Sequence, residues 1–318
     1  MNGQEVEAVS PLIRHTKLFL AFSRGLQAFI SIAQPALGAV IALGRIPDWE
    51  IVAIGFIAAW AGNNAAFAIN DLLDVELDRK RFNHLREFKG FDIDTALVRH
   101  PLAQGYLTYR SGVLWICASS LIAVIGAYLL NPWCILLFVV ALCLEISYCK
   151  LSQISAFKFL ITGVMVAVGA MAGWIAVVEK VELLPALTFF IWIAAWEIGG
   201  RNIVNDWSDV EEDVHLGIKT VPVIYGHKVA GRLILIFLLI TFVCSLTVAY
   251  FVHLNWIYLL GAMIEGWYAL LNPIIRLLKN PTPEVAITLF NRASLYPLVM
   301  LTIIVVSIYL PQILSALF

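Results

Sequence analysis

Two nine-residue stretches of the sequence share the pattern N-D-x-x-D-V-E-x-D. The first is Asn70–Asp78 and the second is Asn205–Asp213. On a helix, the aspartates of each stretch stand at spacings i, i+3 and i+7, which places three carboxylates on one face. The six residues are Asp71, Asp74, Asp78, Asp206, Asp209 and Asp213. Carboxylates at this density repel one another unless a cation lies between them.

Magnesium is the cation that this pattern favours. Mg²⁺ binds a few carboxylate oxygens together with the phosphate oxygens of a substrate. Two acidic faces would therefore hold a diphosphate between them through bridging metal ions. The amide oxygens of Asn70 and Asn205 could add ligands without adding charge, or these amides could cap helices or bond neighbouring helices instead. The alternative for the aspartates is a pair of solvated acidic helix ends.

The composition indicates a membrane protein. Of the 318 residues, 61% are hydrophobic and only 14% are charged, against about half and a quarter in an average soluble protein. The net charge of −1 gives no basic field for nucleic acid. The five cysteines form no C-x-x-C pair, so the sequence indicates neither a disulfide framework nor a zinc site.

Apolar runs long enough to cross a bilayer occur nine times, since one span needs roughly 20 such residues. The predicted spans are residues 19–44, 51–70, 108–130, 132–149, 157–178, 184–204, 229–252, 254–278 and 285–315. The second and sixth spans run directly into the acidic motifs. Lipid offers no hydrogen-bond partners, so the backbone N–H and C=O groups of a membrane span must pair within the protein, as they do in a helix. We therefore expect an all-α, multi-pass helical bundle that forms one domain over residues 1–318.

Lysine and arginine are concentrated in the segments on one side of the predicted spans, whereas the opposite loops hold only Arg45 and Lys180. Cytoplasmic loops carry such an excess. We therefore expect both acidic motifs to face the cytoplasm from a cell or inner membrane, with the C-terminus outside.

The chain also carries the signature of an internal duplication. In each half a span is followed by an acidic motif and then by a P-x-x-x-G turn, Pro101–Gly105 in the first and Pro222–Gly226 in the second. We expect pseudo-repeats over about 15–150 and 151–280, closed by the ninth span. Repeats of this kind place a shared site at their interface.

These motifs resemble those of the UbiA superfamily of intramembrane prenyltransferases. The matching pieces are N-D-x-x-D-x-x-x-D at Asn70–Asp78, P-L-x-x-G at Pro101–Gly105, D-x-x-x-D at Asp209–Asp213 and G-x-K-T-x-P-x-x-x-G at Gly217–Gly226. The resemblance implies a helical bundle with a polar cavity that opens to the cytoplasmic side. It implies transfer of an isoprenyl group from its diphosphate to an aromatic quinone precursor or a lipid, with Mg²⁺. One departure is His100, which stands where the family usually has arginine.

Within that resemblance, the six aspartates are the expected catalytic and metal-binding residues, and Asn70 is a further expected metal ligand. The expected diphosphate-binding residues are Arg24, Asn70, Arg79, Lys158, Arg201, Asn205 and Lys219. Arg201 could instead pair with Glu197, four residues earlier. The carboxylates predicted inside spans, Glu145, Glu197 and Glu265, could accept a proton from the acceptor or serve in structural pairs.

Two other functions are also compatible with these residues. A terpene cyclase on the same scaffold would ionise the diphosphate but quench the cation within the substrate. A transporter would need acids along a path across the bilayer, rather than at one face.

Segment Arg79–Leu107 suggests a separate hypothesis. Phe82, Leu85 and Phe88 repeat at nearly helical spacing, which predicts an amphipathic lid over the cavity mouth, with a helix resting on lipid headgroups as the alternative.

Overall fold

The computed structural model describes residues 11–82, 98 and 100–317, and every regular element in these ranges is a helix. The α-helices of the first half are α1 (Pro11–Phe22), α2 (Gly25–Ile30), α3 (Ala33–Leu43), α4 (Trp49–Leu73), α5 (Val75–Phe82), α6 (Tyr109–Leu130) and α7 (Pro132–Leu151). Those that follow are α8 (Lys158–Val177), α9 (Leu183–Trp196), α10 (Ile203–Ser208), α11 (Val210–Leu216), α12 (Val221–Phe251), α13 (Trp256–Glu265), α14 (Asn272–Lys279) and α15 (Pro283–Leu317). Two π-helical segments, Glu197–Asn202 and Gly266–Leu271, join α9 to α10 and α13 to α14.

Eight helical segments of the described chain are long and apolar enough to cross a membrane. They are Gly25–Leu43, Trp49–Leu73, Tyr109–Leu130, Pro132–Leu151, Lys158–Val177, Leu183–Ser208, Val221–Phe251 and Pro283–Ser315. The ninth predicted span, 254–278, is helical through α13, the second π-helical segment and α14, but it carries Glu265 and Asn272 and is not among the eight. The predicted all-α, multi-pass bundle is confirmed.

The first predicted span, 19–44, is broken rather than continuous. Arg24 adopts a left-handed conformation (φ 46°) between α1 and α2, and a turn at Ser31–Ile32 separates α2 from α3. A left-handed residue ends a helix, because it turns the chain away from the helical path. This break sets Arg24 at a bend beside the site described below.

Aromatic side chains mark one end of the bundle. Trp49 is the first residue of α4, Trp133 the second residue of α7 and Trp256 the first residue of α13. Each of these side chains is more than 60% exposed. Tyr128 and Tyr250 lie near the last residues of α6 and α12 and are similarly exposed. Tryptophan and tyrosine favour the membrane–water interface. These five aromatic residues therefore mark the membrane surface opposite the acidic motifs. Together with the eight spans, they identify an integral membrane protein.

Local capping signals fix several helix starts. Thr108 and Ser111 form a reciprocal capping box at the start of α6. Asn131 caps α7 through its side chain, and Pro132 follows at the first helical position, where its missing N–H costs nothing. These signals explain why the observed α6 and α7 begin within a residue of their predicted starts.

The bundle has two buried clusters of unequal size. The larger contains Trp192, Trp196 and Tyr296 and joins the second half to α3 and α15. The smaller consists of Leu18, Phe22, Ala68, Leu102 and Leu107. It packs the turn at 101–107 against α1 and the last turns of α4, and so brings this turn next to the first acidic motif.

Candidate active site

The first acidic motif spans a break between two helices. Asp74 ends α4 with non-helical dihedral angles (φ −92°, ψ 7°), and α5 begins at the next residue. Two backbone bonds bridge the break, since the N–H of Asp74 donates to the carbonyl of Asn70 at 3.0 Å and that of Asp78 to the carbonyl of Asp74 at 2.8 Å. The motif thus differs from the single helix that the spacing predicts.

The second motif repeats this backbone. Asp209 has φ −100° and ψ 9° between α10 and α11. Its N–H donates to the carbonyl of Asn205 at 3.2 Å, and the N–H of Asp213 donates to the carbonyl of Asp209 at 2.9 Å. The same four-residue hydrogen bonds therefore bridge the same break in both motifs.

A cavity of about 700 Å³ brings the two motifs together. Its lining includes seven carboxyl side chains, namely Asp74, Asp78, Glu145, Glu197, Asp206, Asp209 and Asp213. It also includes three basic side chains, Arg24, Lys158 and Arg201, with His100, Asn70 and Asn205 beside them. Carboxylates outnumber lysine and arginine at this polar end, so the end attracts cations. Asp71 lies behind the lining, where its side chain is 4% exposed.

The rest of the cavity is apolar and long. Its lining follows α4 from Val52 to Asp74, a helical length of about 33 Å, and ends beside Ile46, Leu130 and Val177 at the far ends of neighbouring helices. Small side chains make much of this wall. Gly169 shows the available space, because a Cβ added there would meet nothing within 4 Å.

Two of the predicted basic residues contact polar groups of the motifs. The ammonium of Lys158, which is 5% exposed, lies 3.9 Å from a carboxylate oxygen of Asp206 and 4.9 Å from the centre of the Tyr148 ring. Arg24 donates to the amide oxygen of Asn70 at 3.4 Å, and the amide nitrogen of Asn70 donates to Glu145 at 2.9 Å. Asn70 is thereby a link between α4, Arg24 and α7.

The other predicted basic residues divide between cavity and surface. Arg201 lines the cavity and pairs with Glu197 at 3.5 Å, so the ion pair that the sequence offered as an alternative is present. Arg79 and Lys219 are exposed and are not among the lining residues. Their proposed contact with a diphosphate stays a prediction.

His100 is the contact that the sequence analysis did not anticipate. Its Nδ1 lies 2.5 Å from Asp71 and 2.9 Å from Asp78, so one imidazole joins the two outer aspartates of the first motif. Burial lowers the pKa of His100, but the hydrogen bonds and negative charge of the two carboxylates outweigh it and raise the pKa. Its position just before Pro101, at the start of the P-x-x-x-G turn, was the available signal.

The first motif has the character of a cation site. The carboxylates of Asp71 and Asp78 converge around the imidazole of His100, so that one polar atom of each of the three residues lies within 4.8 Å of the others. The second carboxylate oxygen of Asp71 is buried and has no hydrogen-bond partner among the residues that the structure describes. A buried, unsatisfied carboxylate oxygen is costly unless a cation or donor reaches it. Together with the excess of carboxylates, this arrangement fits Mg²⁺.

The lid hypothesis concerns a segment that lies largely outside the described part of the chain. Residues 83–97 and 99, and the side chain of Phe82, lie outside the described part of the chain, so the proposed face of Phe82, Leu85 and Phe88 stays a prediction.

Comparisons with known proteins identify the family and the fold. The model of the UbiA prenyltransferase family matches residues 32–295. A 4-hydroxybenzoate octaprenyltransferase of Francisella tularensis subsp. mediasiatica is 28% identical over 267 residues, which are 83% of this chain and 85% of that protein. A digeranylgeranylglyceryl phosphate synthase of Thermococcus kodakarensis is 25% identical over 232 residues, covering 69% and 76%. The structure of a UbiA homolog from Archaeoglobus fulgidus bound to DMAPP and Mg²⁺ shares the fold. Its TM-score is 0.65 at 18% identity, over 90% of this chain and 98% of that chain.

Proposed function

The chain belongs to the UbiA prenyltransferase family, and from this premise we propose that it is a Mg²⁺-dependent intramembrane enzyme that moves an isoprenyl group from its diphosphate to an acceptor. The observation that carries the proposal is the single cavity that joins both acidic motifs to a long apolar wall. The polar end suits the diphosphate, and the apolar end suits the prenyl chain. The acceptor classes we propose, an aromatic quinone precursor or a lipid, are suggested by the names of the two relatives.

The aspartates of the two motifs would hold Mg²⁺, with the amide of Asn70 as a further ligand. When bound, Mg²⁺ neutralises charge that develops on the diphosphate oxygens as the carbon–oxygen bond breaks. Lys158 and Arg24 line the same end of the cavity and would donate N–H groups to those oxygens. Their positions are held by Asp206 and Asn70, so both cations are oriented before substrate arrives.

The apolar wall has a chemical role as well as a binding role. An allylic cation reacts with water, so a productive transfer needs a dry surrounding. The wall formed by α3, α4, α7 and α8 supplies that surrounding along the length of the cavity. Phe67 lies beside Arg24 at 5.9 Å and faces the polar end, where an aromatic ring can also stabilise a positive charge.

Product analysis tests the proposal. The purified protein is incubated with Mg²⁺, a series of prenyl diphosphates and a panel of aromatic and lipid acceptors, and the products are identified by mass spectrometry. We expect a prenylated acceptor and free diphosphate, both of which require Mg²⁺. A cyclised hydrocarbon or alcohol formed without acceptor would establish the cyclase instead. Absence of diphosphate release with every donor would contradict enzymatic function and favour the transporter.

We also propose that the polar end faces the cytoplasm from a cell or inner membrane. The Lys/Arg asymmetry supports this orientation. Single cysteines placed at exposed His215 and exposed Glu182 test it with a membrane-impermeant reagent in intact cells. Labelling of residue 182 alone is expected, and equal labelling of both positions would refute the topology.

A further inference from the structure

The side chain of Arg201 is held on several sides inside the cavity. It is 8% exposed, and its guanidinium lies 3.5 Å from a carboxylate oxygen of Glu197. Rings of Trp196 and Phe290 stand 5.7 and 5.6 Å from the guanidinium carbon. The amide of Gln27, oriented with its oxygen toward Arg201, accepts from both terminal nitrogens. Arg201 is therefore a fixed, paired cation.

This group is set apart from the metal-binding aspartates. Arg201 precedes Asp206 by five residues on the same continuous helix, which places it about 7 Å deeper along the axis. Glu197 and Asn202 line the cavity with it. Asn202 is 8% exposed, and its amide nitrogen donates to the hydroxyl of Tyr148 at 3.1 Å. We name the three residues Glu197, Arg201 and Asn202 the inner polar cluster.

Apart from the Oε2 of Glu197, which lies 3.5 Å from the Arg201 guanidinium in the ion pair, two buried atoms of the inner polar cluster have no hydrogen-bond partner among the described residues. One is the Nε of Arg201, which donates, and the other is the Oδ1 of Asn202, which accepts. Buried polar atoms of this kind are costly unless a ligand or water pairs with them. A hydroxyl group both accepts and donates a hydrogen bond, so its chemistry matches this pair of atoms.

The charges of the cavity disfavour an anionic ligand at the same place. An anion would have to take Arg201 from Glu197, and separating a buried ion pair leaves an uncompensated carboxylate. The other two Lys/Arg side chains of the lining are engaged as well, Lys158 with Asp206 and Arg24 with Asn70. The inner polar cluster is thus neutral as a whole and presents hydrogen-bonding atoms rather than spare charge.

We propose that the inner polar cluster binds the acceptor and selects one whose polar group is an uncharged hydroxyl, such as a phenol or an alcohol, over one that carries a carboxylate or phosphate. This inference rests on the proposed prenyl transfer. It differs from what the relatives' names suggest for them, since 4-hydroxybenzoate and a glyceryl phosphate are both anions. Glu197 is the specificity-determining residue, because it cancels the charge that an anionic acceptor would use.

The test compares matched acceptor pairs. One pair is 4-hydroxybenzyl alcohol and 4-hydroxybenzoate, and the other is a prenylglycerol ether and its phosphate. For the wild-type protein we expect kcat/KM to favour the uncharged member by about tenfold or more. In Glu197→Gln the positive charge of Arg201 loses its paired carboxylate, so the preference should move toward the anionic member by about tenfold. Glu265→Gln, an in-helix carboxylate outside the cavity lining, should leave the ratio unchanged.

Equilibrium binding of the same four compounds to the purified protein, with Mg²⁺ and inorganic diphosphate present, separates this inference from the proposed function. Wild-type preference for an anionic member in turnover or binding would overturn the inference, as would an unmoved ratio in folded Glu197→Gln. If no prenyl donor releases diphosphate, the proposed function fails, and binding alone decides between charged and uncharged ligands.

Discussion

The two acidic motifs have the same backbone and different partners. Asp74 and Asp209 break their helices with dihedral angles that agree within 10°, and equivalent hydrogen bonds bridge both breaks. In the first motif, however, Asp71 and Asp78 share the imidazole of His100, which comes from a loop. In the second, Asp206 pairs with Lys158, which opens a membrane-spanning helix.

This difference shows what a duplicated sequence determines and what it does not. The shared pattern of asparagine, aspartate and valine fixes the local chain path, because helix breaks and their hydrogen bonds depend on near neighbours. The groups that neutralise the aspartates depend on residues that differ between the halves, since His100 precedes the first P-x-x-x-G turn whereas Val221 precedes the second. We propose that the chain is one domain of two pseudo-repeats, about 15–150 and 151–280, whose metal sites are alike in backbone and unlike in electrostatic support.

Removal of the central aspartates is expected to have the largest effect and tests the likeness. Asp74→Ala and Asp209→Ala should each lower kcat/KM by on the order of 10³-fold, since each removes a proposed metal ligand at the point where diphosphate charge would develop. Steady-state kinetics at saturating Mg²⁺ measure the effect, with membrane insertion as the control. Most of the activity retained in either variant would exclude the two-motif metal site.

Removal of the unlike partners should separate the motifs. Lys158→Met removes the ammonium group beside Asp206 and with it a proposed donor to the diphosphate, so we expect a loss of about 10²-fold that appears mainly in KM for the prenyl diphosphate. His100→Asn keeps a residue that tolerates the left-handed backbone at this position (φ 47°). We expect this variant to lose about tenfold in activity and to require more Mg²⁺, because it lacks the imidazole that holds the proposed metal ligands Asp71 and Asp78. Identical kinetic signatures in the two variants would refute the difference.

A substitution at the apolar end should affect neither motif. Gly169 lies 11 residues beyond Lys158 on α8, about 16 Å deeper along the helix, and an added side chain there would project into open cavity. Gly169→Leu should lower kcat/KM for long prenyl diphosphates by about tenfold, because the leucine side chain would displace one or more methylene groups of the prenyl chain from the apolar wall. The shorter dimethylallyl diphosphate would not reach this position, so its kcat/KM should be nearly unaffected. Gly169→Ala is the matched control. Equal losses for short and long donors would place the prenyl chain elsewhere.

The sequence predicts the spans better than it predicts the site. Runs of about 20 apolar residues locate α6 and α7 within a residue or two, because lipid requires helix wherever such a run occurs. The contact between His100 and Asp71 joins residues 29 apart, and it depends on where a loop returns in three dimensions. Asp78 and Arg79 show the limit at short range. They are neighbours in sequence, yet a helix rotates about 100° per residue, so Asp78 is buried while Arg79 is exposed.

The smallest expected effect concerns the P-x-x-x-G turns that follow the two motifs. Gly105 and Gly226 both have φ 78°, and an added Cβ would meet nothing within 4 Å at either position. Alanine there would therefore be opposed by backbone conformation alone, at about 1–3 kcal/mol, since φ is positive at both positions and Gly226, with ψ 165°, lies in a region that few residues other than glycine adopt. Gly105→Ala and Gly226→Ala should lower the thermal unfolding midpoint in detergent by similar small amounts. Gly169→Ala supplies the control, because that helical position has equal space without the strained angle and alanine favours helix. If the two turn variants differ widely, or if either matches the control, the likeness between the halves ends at the acidic motifs and does not extend to the turns.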